Sequence, residues 1–182
     1  MFRSVHLPVC LLFAALSAFA QRSIPVENEF VRVVSVVDPH VTRPGALHVH
    51  EQNRVMIYLD AADINIRHED GKGEPLKDED QHWKAGDVAW SPASGRHTSE
   101  HVSEKASRIV EIELRKPGAG GQAASSTGAI IDNSQVRVYK SAIAPPVGSN
   151  YVAVNISTAE TVWNRMPSGS GPVVITLLKQ PR

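Results

Sequence analysis

The chain has 182 residues, with 19 basic against 19 acidic side chains and one cysteine. Balanced charge without a basic block excludes the electrostatic footprint of a nucleic-acid binder, and a lone cysteine excludes a disulfide framework.

The first twenty residues read as an export signal. Met1-Phe2-Arg3 carries one positive charge, Leu7 to Phe19 is mostly apolar, and Ala18-Phe19-Ala20 has the small-x-small pattern of a cleavage site. Cleavage near Ala20-Gln21 predicts a periplasmic or extracellular protein. The apolar run falls short of the roughly 20 residues that span a bilayer, and Cys10 lies inside it rather than at a lipoprotein-like position, so no membrane anchor is expected. The remaining chain, about 160 residues, is long enough for one domain with its own core and an appendage.

Phe30 to Val37 is a β-branched run closed by Asp38-Pro39, and Arg43-Pro44-Gly45 gives the next turn. His48 to Leu59, or part of it, follows as a strand with His48 and His50 one residue apart. The two-residue period of a strand sends both imidazoles to one face, with Gln52, Arg54, Met56 and Tyr58 sharing their parity. Ala62 to His68 alternates again, Asp70-Gly71-Lys72-Gly73 turns the chain, and the charged Glu74 to Gln81 stretch reads as an exposed loop. Val88-Ala89-Trp90 is a short strand. A following strand carries His97, Ser99 and His101 on one face, and Arg108 to Leu114 closes the series. Short strands without a long helical stripe predict an antiparallel sandwich or barrel over 21–116.

Residues 117–128, beginning Pro117-Gly118-Ala119-Gly120-Gly121, read as a linker or surface loop. Beyond them, Asp132-Asn133-Ser134-Gln135-Val136-Arg137-Val138 resembles Glu27-Asn28-Glu29-Phe30-Val31-Arg32-Val33. We read 129–182 as a degenerate half repeat, without histidine, that adds strands or builds an interface such as a homodimer's.

Taken together, the blocks resemble the paired motifs of the cupin superfamily. The first is Gly-x5-His-x-His-x3 or x4-Glu-x6-Gly, and the second is Gly-x5-Pro-x-Gly-x2-His-x3-Asn. His48 and His50 match the histidine pair, Gly86 and Pro92 open the second motif, and His97 matches its histidine. The resemblance covers roughly Val26 to Lys116 and implies an all-β, double-stranded β-helix (jelly-roll) barrel with additional C-terminal strands. Several positions depart from the pattern. Gly45 stands three residues before His48 instead of six, Ala61 replaces the closing glycine, Ser94 replaces the middle glycine with Gly95 beside it, His101 takes the asparagine position, and Arg54 takes that of the metal-binding glutamate.

Three neutral imidazoles, His48, His50 and His97, suit a divalent transition metal such as Fe, Zn, Mn, Ni or Cu without a carboxylate. His101 joins them only if a bend shortens the roughly 13 Å that four strand residues span. Arg54 cannot deprotonate and opposes a cation unless Glu51, Glu100 or Glu104 compensates it; its fork also suits a carboxylate ligand. With Met56, Tyr58 and Trp90 it is expected to line a small-molecule pocket. His40, His68 and His82 read as surface or loop residues, Trp83 and Trp90 more often as packing than as ligand platforms, and Glu111 and Glu113 as solvated charges unless the fold brings one near the pocket.

No nucleotide-binding glycine loop, serine nucleophile elbow or CxxC pattern is present. The resemblance implies a menu of dioxygenases, isomerases, decarboxylases and nonenzymatic binders, and no residue is assigned as catalytic. A metal-free binding or structural protein, with Arg54 standing in for metal charge, is the alternative.

Overall fold

The structure is a computed structural model and describes residues 20–39, 44–118 and 125–179. The expected signal segment up to residue 19, His40, and half of the expected linker, 119–124, lie outside these residues.

Every regular element described is a strand. In chain order they are β1 (Gln21–Glu27), β2 (Val31–Asp38), β3 (His48–His50), β4 (Arg54–Tyr58), β5 (Ala62–Glu69), β6 (Pro75–Trp83), β7 (Val88–Ser91), β8 (Ser94–His101), β9 (Ser107–Leu114), β10 (Ile131–Asp132), β11 (Val136–Lys140), β12 (Asn150–Asn155), β13 (Thr161–Trp163) and β14 (Pro172–Leu177). They form three antiparallel sheets: A in the order β1-β2-β9-β4-β7, B in the order β3-β8-β5-β6, and C in the order β10-β11-β14-β12-β13. Sheets A and B, less the edge strand β1, have the alternating connectivity of the eight-stranded jelly roll, since the chain switches sheet between β2 and β3, β3 and β4, β4 and β5, and again between β6 and β7, β7 and β8, β8 and β9. The fold is a double-stranded β-helix with a third sheet attached.

Two expectations are corrected here. His48 to Leu59 is not one strand: β3 belongs to sheet B and β4 to sheet A, and the polar Glu51-Gln52-Asn53 carries the chain across. Asn53 fixes that crossing, accepting from the Ala93 N–H at 2.7 Å and donating to Gln135 Oε1 at 3.0 Å. The Glu74 to Gln81 segment is largely strand β6, paired along its length with β5. Its charges, among them Lys77, Asp78, Glu79 and Asp80, mark the edge of sheet B, where a polar strand resists pairing with another chain.

Sheet A lies in the middle. The two-residue period of β4 sends Arg54, Met56 and Tyr58 into the barrel and Val55 and Ile57 the other way. β9 likewise points Ile109, Glu111 and Glu113 inward and Val110, Ile112 and Leu114 outward. The outward residues join Val136, Val138, Val152, Val154, Val173, Ile175 and Leu177 of sheet C in one apolar layer. Phe30 stacks on Trp163 at its rim, with centroids 5.8 Å apart. The Gly118 N–H donates to the Leu178 carbonyl at 3.1 Å, and a Cβ on Gly118 would collide with the Leu177 carbonyl, so the chain enters sheet C through a gap only glycine fits.

Sheet C repeats sheet A strand for strand. Val31 faces Leu114 as Val136 faces Leu177, and Val55 pairs with Trp90 as Val152 pairs with Trp163. Asn28 Oδ1 accepts the Phe30 and Val31 amides at 2.8 and 3.0 Å, and Asn133 Oδ1 accepts those of Gln135 and Val136 at the same two distances. The strands without a counterpart are β3, β5, β6 and β8, all of sheet B. Where they would stand, 141–149, 156–160 and 164–171 make short connections.

Ile112 and Ile175 are wholly buried in the layer shared by sheets A and C. Replacing either with alanine is expected to cost about 2–5 kcal/mol and to lower a single unfolding transition. Urea titrations followed by circular dichroism and tryptophan fluorescence check this; two separable transitions in the wild type would show that the sheets fold independently.

Candidate metal centre

His48 and His50 come from β3, and His97 comes from β8 directly opposite His48. The β3–β8 register shifts between His48 and His50, so that His50 lies opposite Ser94. This bulge aims His97 at both imidazoles of β3. Ring centroids are 4.5 Å apart for His48 and His97, 4.8 Å for His48 and His50, and 5.1 Å for His50 and His97. Their ligating nitrogens all lie within 4.8 Å of one another.

Two of the rings are oriented from behind by the backbone. His48 Nδ1 is 2.8 Å from the Ala46 carbonyl and His97 Nδ1 is 3.1 Å from the Gly95 carbonyl. An Nδ1–H donated to each carbonyl leaves Nε2 with its lone pair toward the cluster, the arrangement in which metal-binding histidines are held. Burial, then the Arg54 charge and the neighbouring His48 and His97, push the His50 imidazole down to about 3. Burial also lowers His97. Both rings are therefore neutral near pH 7, as a metal ligand must be. The Ser94 hydroxyl, on the cross-strand partner of His50, is buried without a hydrogen-bond partner, so the cluster also presents an unused polar group.

Across the barrel, sheet A supplies the carboxylates. Glu111 and Glu113 form a second group with His50, again with ligand atoms within 4.8 Å of one another. Sequence reading treats them as solvated because β9 looks amphipathic, with Val110, Ile112 and Leu114 on its apolar face. Both faces of this strand are in fact covered, and Glu111 is only 8% exposed. It is also the acid that compensates Arg54, in place of Glu51, Glu100 or Glu104. Arg54 Nη1 donates to Glu111 Oε2 at 3.2 Å and Nε to Ser91 Oγ at 3.2 Å. Those bonds hold Glu111 and Ser91 against the guanidinium through two of its five N–H donors. Arg32 pairs with Glu113 at 3.4 Å.

The other expected site residues divide. Met56 packs inside the barrel with Tyr58, Ala62 and Ile109, and Tyr58 stacks on Trp83 at 4.3 Å, so these residues form an apolar floor below the imidazoles. Burial pushes the Tyr58 hydroxyl up, which suits a wall rather than a proton donor. Trp90 is not a pocket residue. It is the register partner of Val55 and packs in the layer between sheets A and C. His101 is outside the cluster as well: it is four residues along β8, opposite Ile64, and is 3% exposed with both ring nitrogens unpartnered. His68, read as a surface residue, is the cross-strand neighbour of His97, with rings 5.7 Å apart. Only the β5–β8 register reveals that contact, and no local pattern in the sequence encodes it. A separate cleft of about 230 Å³ lies between sheets A and C, lined in part by Asn53, Arg115 and Gln135, and contains none of the clustered imidazoles.

No family model matches the chain, and no curated protein matches it. Among solved structures it is similar to a cupin domain from Bordetella pertussis Tohama I, with 20% identity and a TM-score of 0.45 over 53% of this chain and 94% of that one. It is also similar to an uncharacterized conserved protein with a double-stranded β-helix domain from Klebsiella pneumoniae, with 19% identity and a TM-score of 0.42 over 55% and 80%. A third is an RmlC-like cupin family protein from Methanocaldococcus jannaschii, with 15% identity and a TM-score of 0.40 over 63% and 92%. The strand order of sheets A and B carries the fold assignment.

Two predictions follow from the electrostatics. Replacing Arg54 with methionine strands the buried Glu111 charge and is expected to cost about 3 kcal/mol, whereas the double variant Arg54→Met/Glu111→Leu recovers most of that loss; urea midpoints of the three proteins measure it. His50 and His97 take up protons less readily folded than unfolded, so their contribution to stability is complete above about pH 6.5 and declines on acidification. The urea midpoint is expected to fall between pH 7.5 and 5.5, and to fall less in His50→Gln.

Proposed function

Starting from a double-stranded β-helix barrel of the cupin type with three convergent imidazoles, we propose that this protein binds a divalent transition metal at His48, His50 and His97 and a small ligand beside it. The observation that supports this best is the pair of Nδ1-to-carbonyl contacts at His48 and His97, which turn Nε2 of both rings toward His50. Three imidazoles leave coordination positions open, and a bound metal supplies Lewis acidity to a ligand oxygen. Glu111 and Glu113 offset the positive charge that Arg54 and Arg32 bring to the same end of the barrel. Export, supported by the N-terminal pattern of Met1 to Ala20, is part of the proposal.

One observation favours a second reading, a metal-free binder: three arginines, Arg22, Arg32 and Arg54, stand on the inner face of sheet A and oppose a divalent cation.

Anaerobic purification followed by elemental analysis and zinc titration separates the two. Near one equivalent of transition metal, or saturable uptake of one, is expected in the wild type, with at least a 100-fold loss of affinity in His50→Ala. Less than about a tenth of an equivalent, with no saturable uptake of iron, zinc, copper, nickel or manganese, leaves the metal-free reading standing.

A further inference from the structure

Three cations and two carboxylates occupy the inner face of sheet A near the imidazoles, and the pairing accounts for all but one of them. Arg54 is bound to Glu111 and Arg32 to Glu113. Arg22 has no ion pair or hydrogen bond among the described residues. It is opposite Val36 on β2, and Val36 is opposite Ile109 on β9, so register places Arg22 on the face that lines the barrel. β1 is the edge of sheet A and β3 the edge of sheet B, and β2 runs directly into the segment leading to β3. The barrel therefore has a seam bounded by Arg22 on one side and the His48–His50 strand on the other. The side chain is exposed there, and its charge reaches both His50 and Arg54. The acid that senses it is Asp38, further along β2, without an ion pair between them.

An exposed guanidinium whose charge reaches Arg54 raises the local potential instead of relaxing it, and a bound cation raises it further. Such a site attracts an anion, and a guanidinium fork matches the planar or tetrahedral oxygens of a carboxylate or phosphate. We propose that Arg22, at the open seam of the barrel, recognises the oxyanion group of the small ligand held beside the three imidazoles. Arg54, committed to Glu111 and Ser91, positions the carboxylate beneath it. This inference rests on the small-ligand site proposed above and specifies what that site selects.

The test is calorimetric titration of the zinc-treated protein with succinate, inorganic phosphate and the neutral isostere succinamide, in parallel with a separate zinc titration. The wild type is expected to bind succinate or phosphate but not succinamide, and whichever of the two binds more tightly identifies the group as carboxylate or phosphate. Arg22→Gln is expected to weaken anion binding at least tenfold with zinc uptake and urea midpoint unchanged, and Arg22→Lys to lie between, because an ammonium keeps the charge without the fork. Equal anion affinity in wild type and Arg22→Gln, no anion binding by the wild type, or loss of zinc uptake in Arg22→Gln would each overturn the assignment. Absent zinc uptake with Arg22-dependent anion binding would sink the metal reading and leave the anion site in place.

Discussion

The structure depends on the burial of sheet A on both faces. A strand covered on one side tolerates charge on the other because water solvates it. In β4 and β9 no side is fully open, so the inner-face charges at Arg54 and Glu111 need partners within the protein. Their pairing, with side chains 9% and 11% exposed, follows from that constraint. A buried pair of this kind adds little net stability over an apolar pair of the same volume, yet removing either member leaves an unpaired charge. The pair therefore fixes where Glu111 stands more than it holds the barrel together.

The third sheet shows what happens to the same pattern when one covering layer is absent. The outward face is preserved in kind: Val55, Ile57, Ile112 and Leu114 correspond in register to Val152, Val154, Ile175 and Leu177, and these eight residues pack against each other in one layer. The inward face is not preserved. Arg54, Glu111 and Glu113 correspond to Tyr151, Val174 and Thr176, and Tyr151 and Val174 belong to a small apolar cluster with Ala153, Val162 and Met166. Without sheet B there is no imidazole to face and no polar cavity to line, so apolar and neutral residues suffice. The absence of histidine from the C-terminal half and its short connections are one fact: the histidines of the site are carried by the missing strands.

Legibility in the sequence followed the range of the interaction. His48 and His50 share a face by the strand period alone, and His97 followed from the second motif, so the three imidazoles were readable before any register was known. Glu111 was not, because amphipathic alternation looks the same whether the polar face meets water or the inside of a barrel. Trp90 was ambiguous for the related reason that a large aromatic identifies a packed face without saying which one, and only the pairing with Val55 assigns it to the layer shared with sheet C. The β6 strand was missed because its order comes from pairing with β5 at a sheet edge rather than from apolar burial. His68 meets His97 through register that no local pattern encodes.

Arg54 acts in opposite senses on the two sides of the barrel. Toward sheet B its charge helps hold His50 neutral, the form a metal ligand requires, while the same charge would oppose a cation bound there. Toward sheet A it is neutralised by Glu111, which reduces the repulsion without restoring a proton to the imidazole, because burial is the larger cause of the lowered His50 value. With arginine at the β4 position, the carboxylates that face His50 stand on β9, one strand along the same sheet, and Arg54 holds one of them, Glu111, in place there.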